Sequence, residues 1–353
     1  MSDPVPPPRA PRPPAQRAVV IGHRGASGYR PEHSRAAYQL AIELGADAVE
    51  PDLVVTRDGV LVVRHENEIS GTTDVAAHPE FAGRRTTKEV DGQRLTGWFT
   101  EDFTWPELAT LRAIERLPRE RPRSARYDGA QPILRFDELL SLLDAAPRPV
   151  GLVAEIKHPT YFEGIGLPLD GLVAEALAGW SGRPGLVVEC FEQTVLGRLR
   201  DRGLAATRVY LCERSGSAAD LRARLGSSAP SYAEQLNDAG LAALAGEVDG
   251  VSVDKALLFA GDGATTTDLV ARVHAAGLLA YTWTLRPENR FLAPAHRGEG
   301  GKTAWGDWRA EFAAILATGV DGVFADHPDL AVAARDGRDH GTVPAAGPVA
   351  PPA

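Results

Sequence analysis

Residues 19–66, VVIGHRGASGYRPEHSRAAYQLAIELGADAVEPDLVVTRDGVLVVRHE, decide how this chain is read. The short apolar run Ala18–Ile21 has the character of a strand, and it delivers His23-Arg24-Gly25. Pro31-Glu32-His33-Ser34 then opens a helical pattern, with Ala37, Leu40, Ala41 and Leu44 at i, i+3, i+4 and i+7. Pro31 suits a helix start, where its missing N–H is not needed. After Gly45 the chain extends again and presents Glu50 and Asp52. Side chains two apart on a strand share a face, so both carboxylates point the same way. Pro51 between them cannot donate to a sheet ladder and is read as the end of that strand. Val60–Val63 then delivers His65-Glu66. Imidazoles, a guanidinium and carboxylates gathered at strand ends exceed what packing needs.

Working outward, strand-like runs fall at 18–22, 48–54, 151–156, 186–190, 208–212, 250–254, 278–284 and 321–325. Helical patterns at 32–44, 136–145, 170–179, 192–202, 218–226, 266–276 and 308–318 separate most of them. Such β/α alternation predicts a (β/α)8 TIM barrel, a single domain over 18–335. A doubly wound sheet is disfavoured, because Gly22, Gly25 and Gly28 lack the Gly-x-Gly-x-x-Gly spacing. A segment at about 67–131 is too long for a plain loop and reads as an inserted subdomain. It carries the capping-box pattern Thr104-Trp105-Pro106-Glu107, followed by Leu108 and Leu111 on a helical face. By position it belongs over the barrel mouth, as a lid or head-group wall, or else as a passive excursion. Residues 1–17 and 336–353 are a proline-rich lead-in and tail, expected to be disordered.

The 38 basic and 47 acidic residues leave a net charge of −9 without long single-sign runs, which argues against a nucleic-acid partner. No apolar stretch reaches the roughly 18 residues of a membrane helix, so no stable membrane insertion is expected. The start has seven prolines in 17 residues and no signal-like apolar core. As it stands it predicts a cytoplasmic protein, with export expected only if the true start lies upstream. Cys190 and Cys212 sit in apolar runs and are expected to be buried, reduced thiols.

Three strand ends carry the chemistry. Glu50 and Asp52 on one strand and Glu155 on the next are suited, if they converge at a barrel mouth, to a hard cation such as Ca2+ or Mg2+. Lys157 shares the face of Glu155, where a structural ion pair between them is the alternative. His23 and His65 each follow an apolar run and face the carboxylate pair. Imidazole has the pKa to serve as base or acid near neutrality, as phosphodiester cleavage requires. Arg24 can hold two phosphoryl oxygens in its planar fork. His33, His78, His158, His274 and His296 are read as ordinary polar residues. Trp283 either walls a substrate or packs in the barrel core, and the loop Arg286-Pro287-Glu288-Asn289-Arg290 lies within reach of a bound phosphate.

Gly22-His23-Arg24-Gly25-Ala26, Pro31-Glu32, Glu50-x-Asp52 and His65-Glu66 together resemble the signature of the glycerophosphodiester phosphodiesterases. The likeness extends over about 18–335. Thr72-Thr73-Asp74-Val75 and Thr96-Gly97-Trp98-Phe99 are similar to the long insertion of one branch. Two positions depart: His33-Ser34 stands where the family usually has Asn-Thr, and Glu66 where it usually has Asp. The resemblance implies a metal-dependent TIM-barrel hydrolase that releases glycerol 3-phosphate and an alcohol from small glycerophosphodiesters. It places ligands for one divalent cation at Glu50, Asp52 and Glu155, a phosphate-binding lysine at Lys157 and a substrate contact at Phe191. Two rival expectations use the same residues. A lysophospholipase-D-like enzyme would need an apolar rim, for which Phe99, Phe103 and Trp105 are candidates. A phosphate-ligand binding protein without turnover would keep the site but lose the reaction.

Overall fold

The computed structural model describes residues 17–338. Its strands are β1 (Val19–His23), β2 (Ala48–Glu50), β3 (Asp52–Val55), β4 (Leu61–Val63), β5 (Thr86–Val90), β6 (Gln93–Gly97), β7 (Gly151–Ile156), β8 (Leu186–Cys190), β9 (Thr207–Cys212), β10 (Gly250–Asp254), β11 (Leu279–Leu285) and β12 (Gly322–Ala325). β1 pairs in parallel with β2 on one side and β12 on the other. Parallel pairings continue from β12 through β11, β10, β9 and β8 to β7, which returns to β2 and β3. With β2 and β3 counted as one strand, eight parallel strands close a barrel, the (β/α)8 fold the sequence predicts. The expected helical stretches hold helices Arg35–Glu43, Phe136–Asp144, Leu169–Ala176, Gln193–Asp201, Ala219–Leu225, Leu269–Ala275 and Trp308–Ala317. Pro328–Asp336 follows β12 as a further helix.

Two local expectations need correcting. Pro51 does not end its strand: Ala48 pairs with Gly151 and Asp52 with Glu155, the same offset on both sides of the proline. Its ring removes one N–H from the ladder, but its carbonyl still accepts from Glu155 N at 2.9 Å. One lost rung does not reset the register. The first helix does not open at Pro31 either. It starts at Arg35, with Ser34 Oγ accepting the Ala37 N–H at 3.2 Å. His33 stands at φ +58, a left-handed conformation that cannot belong to the helix.

Alternation along the strands sorts the side chains into two layers. Ile21, Ala48, Val153, Val187, Val209, Tyr281 and Phe324 point inward and fill the barrel floor. Val20, Val49, Leu152, Val188 and Tyr210 point outward and join the larger core beneath the helices. Cys190 and Cys212 are buried free thiols on that outer side. Among the described residues no helix is long and apolar enough to cross a membrane.

Residues 67–131 form an ordered excursion. β5 and β6 make an antiparallel hairpin, and Trp105–Leu108 forms one helical turn whose Glu107 accepts the Thr104 N–H at 2.8 Å. Phe99, Phe103, Leu108 and Leu111 are all fully buried. Of the expected lead-in 1–17 and tail 336–353, only Arg17 and residues 336–338 lie within the described residues. Arg17 pairs with Asp336, the last residue of the final helix, at 3.1 Å.

Candidate active site

The barrel builds this site by the same alternation that fills its floor. Two residues past the inward floor residues, toward the C-terminal mouth, stand His23, Glu50, Glu155, Glu189, Trp283 and Asp326, with the apolar Leu211 in the seventh place. One further step of two gives Asp52, Lys157 and Phe191. Cross-strand register sets these side by side: His23 opposite Glu50, Asp52 opposite Glu155, and Glu155 opposite Glu189. Active sites of this architecture gather at that mouth.

Acidic oxygens of Glu50, Glu155 and Glu189 lie within 4.8 Å of one another. Burial first, then the neighbouring carboxylates, push Glu50 and Glu189 well above the usual carboxylate range and Glu155 to about 8. Asp52 behaves differently. Burial opposes its charge, but Lys157, His65, the His33 hydrogen bond and Arg24 hold it well below the usual range. Its Oδ2 meets His33 Nε2 at 2.8 Å and Arg24 Nε at 3.4 Å, while Oδ1 lies 3.7 Å from Lys157 Nζ. Asp52 is fully buried beneath the cavity wall rather than part of it.

Both histidines are oriented by carboxylates. His23 Nδ1 lies 2.6 Å from Asp326 Oδ1, and His65 Nδ1 lies 2.5 Å from Glu66 Oε1. A carboxylate accepts here, so Nδ1 carries the proton and Nε2 keeps its lone pair. Burial, then Arg24, lower His23 to about 4 against the pull of Asp326. Burial, Arg24 and Lys157 lower His65 to about 3. Each imidazole is therefore neutral near pH 7, with its Nε2 lone pair free, and takes a proton only where a nearby anion offsets the burial.

The cations are fixed as firmly. Arg24 donates its backbone N–H to Glu50 Oε2 at 2.8 Å and its guanidinium to Glu32 at 3.1 Å. Lys157 Nζ donates to Glu155 Oε1 at 2.6 Å, the ion pair weighed from sequence, and lies 5.6 Å over the Phe191 ring. Phe191 packs edge-on to Trp283 with centroids 5.8 Å apart. Gly25 makes the turn after Arg24 possible. It stands at φ +83, and a Cβ there would lie 2.6 Å from the Ala37 carbonyl carbon.

His23, Arg24, Glu50, His65, Glu155, Lys157, Phe191 and Trp283 all line one cavity of about 1240 Å3. Val90, Asp91, Gln93 and Leu95 of the β5–β6 hairpin form part of its wall. Asp91 is anchored there by His158 Nδ1 at 2.5 Å.

Several members of this constellation were not singled out by sequence reasoning. His33, read there as an ordinary polar residue, is wholly buried between Asp52 and the Tyr38 hydroxyl, each at 2.8 Å. Asp326 follows an inward-facing phenylalanine by two, a signal that was available. Arg116 and Arg121 carry no local signal; only the folded insertion brings them to the site.

The sequence model described as "Glycerophosphoryl diester phosphodiesterase family" matches residues 23–330. The glycerophosphodiester phosphodiesterase GDPD6 of Arabidopsis thaliana is 35% identical over 294 residues, which span 78% of this chain and 76% of that protein. A glycerophosphodiester phosphodiesterase of Bacillus subtilis is 25% identical over 316 residues, covering 89% and 85%. Among solved structures, a putative glycerophosphoryl diester phosphodiesterase from Silicibacter pomeroyi superposes with a TM-score of 0.64 at 22% identity, over 92% of this chain and 95% of that one. An Oleispira antarctica phosphodiesterase, solved in complex with the product sn-glycerol-3-phosphate, superposes at 0.59 with 19% identity, over 91% and 97%. At these identities the superpositions bear on the fold alone.

Proposed function

The chain belongs to the glycerophosphoryl diester phosphodiesterase family and is a phosphoric diester hydrolase; on that premise we propose how it works and on what. Its substrates would be small glycerophosphodiesters such as glycerophosphocholine or glycerophosphoethanolamine, cleaved to glycerol 3-phosphate and an alcohol. The family match over residues 23–330 and the glycerophosphodiester phosphodiesterase relative at 35% identity support that substrate class.

One observation carries the reading. Two neutral imidazoles, each held at Nδ1 by a carboxylate, open into one cavity with Arg24 and Lys157. His23 and His65 would divide the proton work, one taking the proton of the attacking oxygen and the other protonating the leaving alcohol. A phosphate anion in the cavity favours imidazolium, which lets one of them hold a proton although burial opposes it. Arg24 and Lys157 stay charged, since neighbouring carboxylates outweigh burial and raise both above their ordinary values. Their charge would orient the phosphate and offset what builds on its oxygens. Phe191 and Trp283 would wall the organic part of the substrate.

The residues fit a hard divalent cation, Ca2+ or Mg2+. Glu50 Oε1, Asp52 Oδ1 and Glu189 Oε2 are buried oxygens without a hydrogen-bond partner. Glu50, Asp52 and Glu155 would hold the ion, which when bound supplies a positive centre for the phosphoryl oxygens.

Glycerol 3-phosphate release from glycerophosphocholine tests this, run after chelation and then with Ca2+ or Mg2+ restored separately. Product that disappears on chelation and returns with one ion supports the reading. No product from folded protein under either ion would remove it. Support for the lipid alternative is thin, because Phe99 and Phe103 are buried in the insertion and the half-buried Trp105 packs against the core rather than lining the cavity. Faster turnover of lysophosphatidylcholine than of glycerophosphocholine would restore it.

A further inference from the structure

We propose that residues 67–131 act as a two-armed buttress for the proton-transferring histidines, with Arg116 and Arg121 as positioning residues. This rests on the reading of His23 and His65 given above, and it assigns the insertion a role beyond walling the cavity.

Each histidine leans on a carboxylate, and each carboxylate is gripped by an arginine from the same short stretch of the insertion. On the His65 side, Arg116 NH1 and NH2 donate to Glu66 Oε1 and Oε2 at 2.9 and 2.7 Å. The same guanidinium donates to both oxygens of Glu32, at 2.7 Å from Nε and 2.6 Å from NH2. Glu32 in turn binds Arg24. On the His23 side, Arg121 NH2 donates to Asp326 Oδ2 at 2.6 Å, and its Nε and NH1 reach Glu288 Oε1 and Ser27 O at 2.8 and 3.2 Å. Arg121 is itself buried, with only 5% of its side chain exposed.

Neither arginine touches an imidazole; each works at one remove. A carboxylate can rotate, and the fork of a guanidinium fixes its plane. The ring bonded to it then keeps both its tautomer and its tilt. The stretch that carries the arginines is anchored outside the site by Ala113 N to Gln131 O at 2.8 Å and Ile114 N to Thr72 O at 3.0 Å. The two arms differ in redundancy. Asp326 also receives Arg286 Nε at 2.6 Å, whereas Glu66 has Arg116 as its arginine and a side chain 28% exposed. Loss of Arg116 is therefore the more damaging.

The test uses the full chain, loaded with whichever ion supports turnover. Arg116→Lys and Arg121→Lys keep the charge and lose the fork. Turnover of glycerophosphocholine should fall about 10- to 100-fold in kcat for Arg116→Lys, less for Arg121→Lys, with KM little changed. Imidazole 15N correlation spectra should show His65 passing from one tautomer to a mixture in Arg116→Lys while His23 keeps its own. In a Glu66→Gln background, Arg116→Lys should add little further loss, since both changes break the same chain of contacts. Folded variants with wild-type kcat and unchanged spectra would overturn the proposal, as would fully additive losses. A lysine variant already unfolded at the assay temperature by circular dichroism would also overturn it, by assigning the arginines to the fold. The parent reading fails separately: undiminished turnover in His23→Asn or His65→Asn would remove it, whatever the spectra show.

Discussion

His33 and Asp52 are locked together in the interior, Nε2 against Oδ2 at 2.8 Å, with neither side chain reaching solvent. His33 adopts φ +58 to do this, and the Tyr38 hydroxyl at its other nitrogen fixes the ring. The pair leaves Asp52 Oδ1 facing Lys157 Nζ at 3.7 Å, and the His33 hydrogen bond adds to Lys157 and His65 in keeping Asp52 charged.

His33→Ala should therefore destabilise the protein by about 1–3 kcal/mol, the usual cost of leaving a buried polar group without its partner. Asparagine tolerates a left-handed backbone, so His33→Asn should lose less. Urea denaturation of the two variants checks the order, and an alanine variant as stable as wild type would contradict it.

The carboxylate cluster allows Asp52 and Glu189 to be told apart. Glu50→Ala or Asp52→Ala should abolish ion-dependent turnover while leaving the barrel folded. Glu189→Gln should keep turnover but weaken the ion by about 10-fold or more, the scale of a lost supporting charge. Calorimetric titration with Ca2+ or Mg2+ measures this directly; unchanged affinity in Glu189→Gln would place that carboxylate outside the cation's reach.

Stability should depend on pH from both sides. His23, His65 and His327 have folded values depressed to about 4, 3 and 4 from an ordinary 6.5. The unfolded chain then binds more protons below pH 6.5, so the stability these groups contribute is present above that value and lost as pH falls toward 4. Glu155 and Glu192 are raised to about 8, mainly by burial, and their contribution runs the other way. It is complete below about 4.5 and lost as pH rises through 8. Melting temperatures of the chelated protein across pH 4–9 should fall at both ends. Adding the active cation should flatten the alkaline limb at Glu155; a limb that does not respond would contradict the assignment of that residue.

Gly25→Ala should be among the most damaging single substitutions. The backbone is left-handed there, and the added carbon would meet the Ala37 carbonyl. Strain of this kind costs on the order of 1–3 kcal/mol before any clash. Lower soluble yield and a lower melting temperature are expected; a wild-type melt would mean the turn can relax.

The sequence made the barrel legible because its strands are apolar runs of ordinary length separated by helices with clean periodicity. The site was legible where residues sit two apart on one strand, as Glu50 with Asp52 and Glu155 with Lys157 do. Reasoning failed where local chemistry pointed one way and tertiary contacts another. Pro51 reads as a strand terminator, yet neighbours on both sides hold the register. Pro31 reads as a helix opener, yet the following Glu32 and His33 are drawn to the site instead. Arg116 lies 50 residues from Glu66 and Arg121 lies 205 from Asp326, and no spacing rule spans such distances.

The two-residue step from floor to mouth also makes the barrel strands intolerant of slippage. A single added or deleted residue within β7 or β8 would turn Glu155 or Glu189 out into the apolar layer under the helices and swing Ala154 or Val188 into the bore. Substitution is graded, but a one-residue indel in these strands moves a carboxyl from the polar mouth, where Lys157 faces it, to an apolar layer with no partner in one stroke. Length variation in descendants of this chain should accordingly be confined to the loops and to the excursion after β4, leaving the strands metrically frozen.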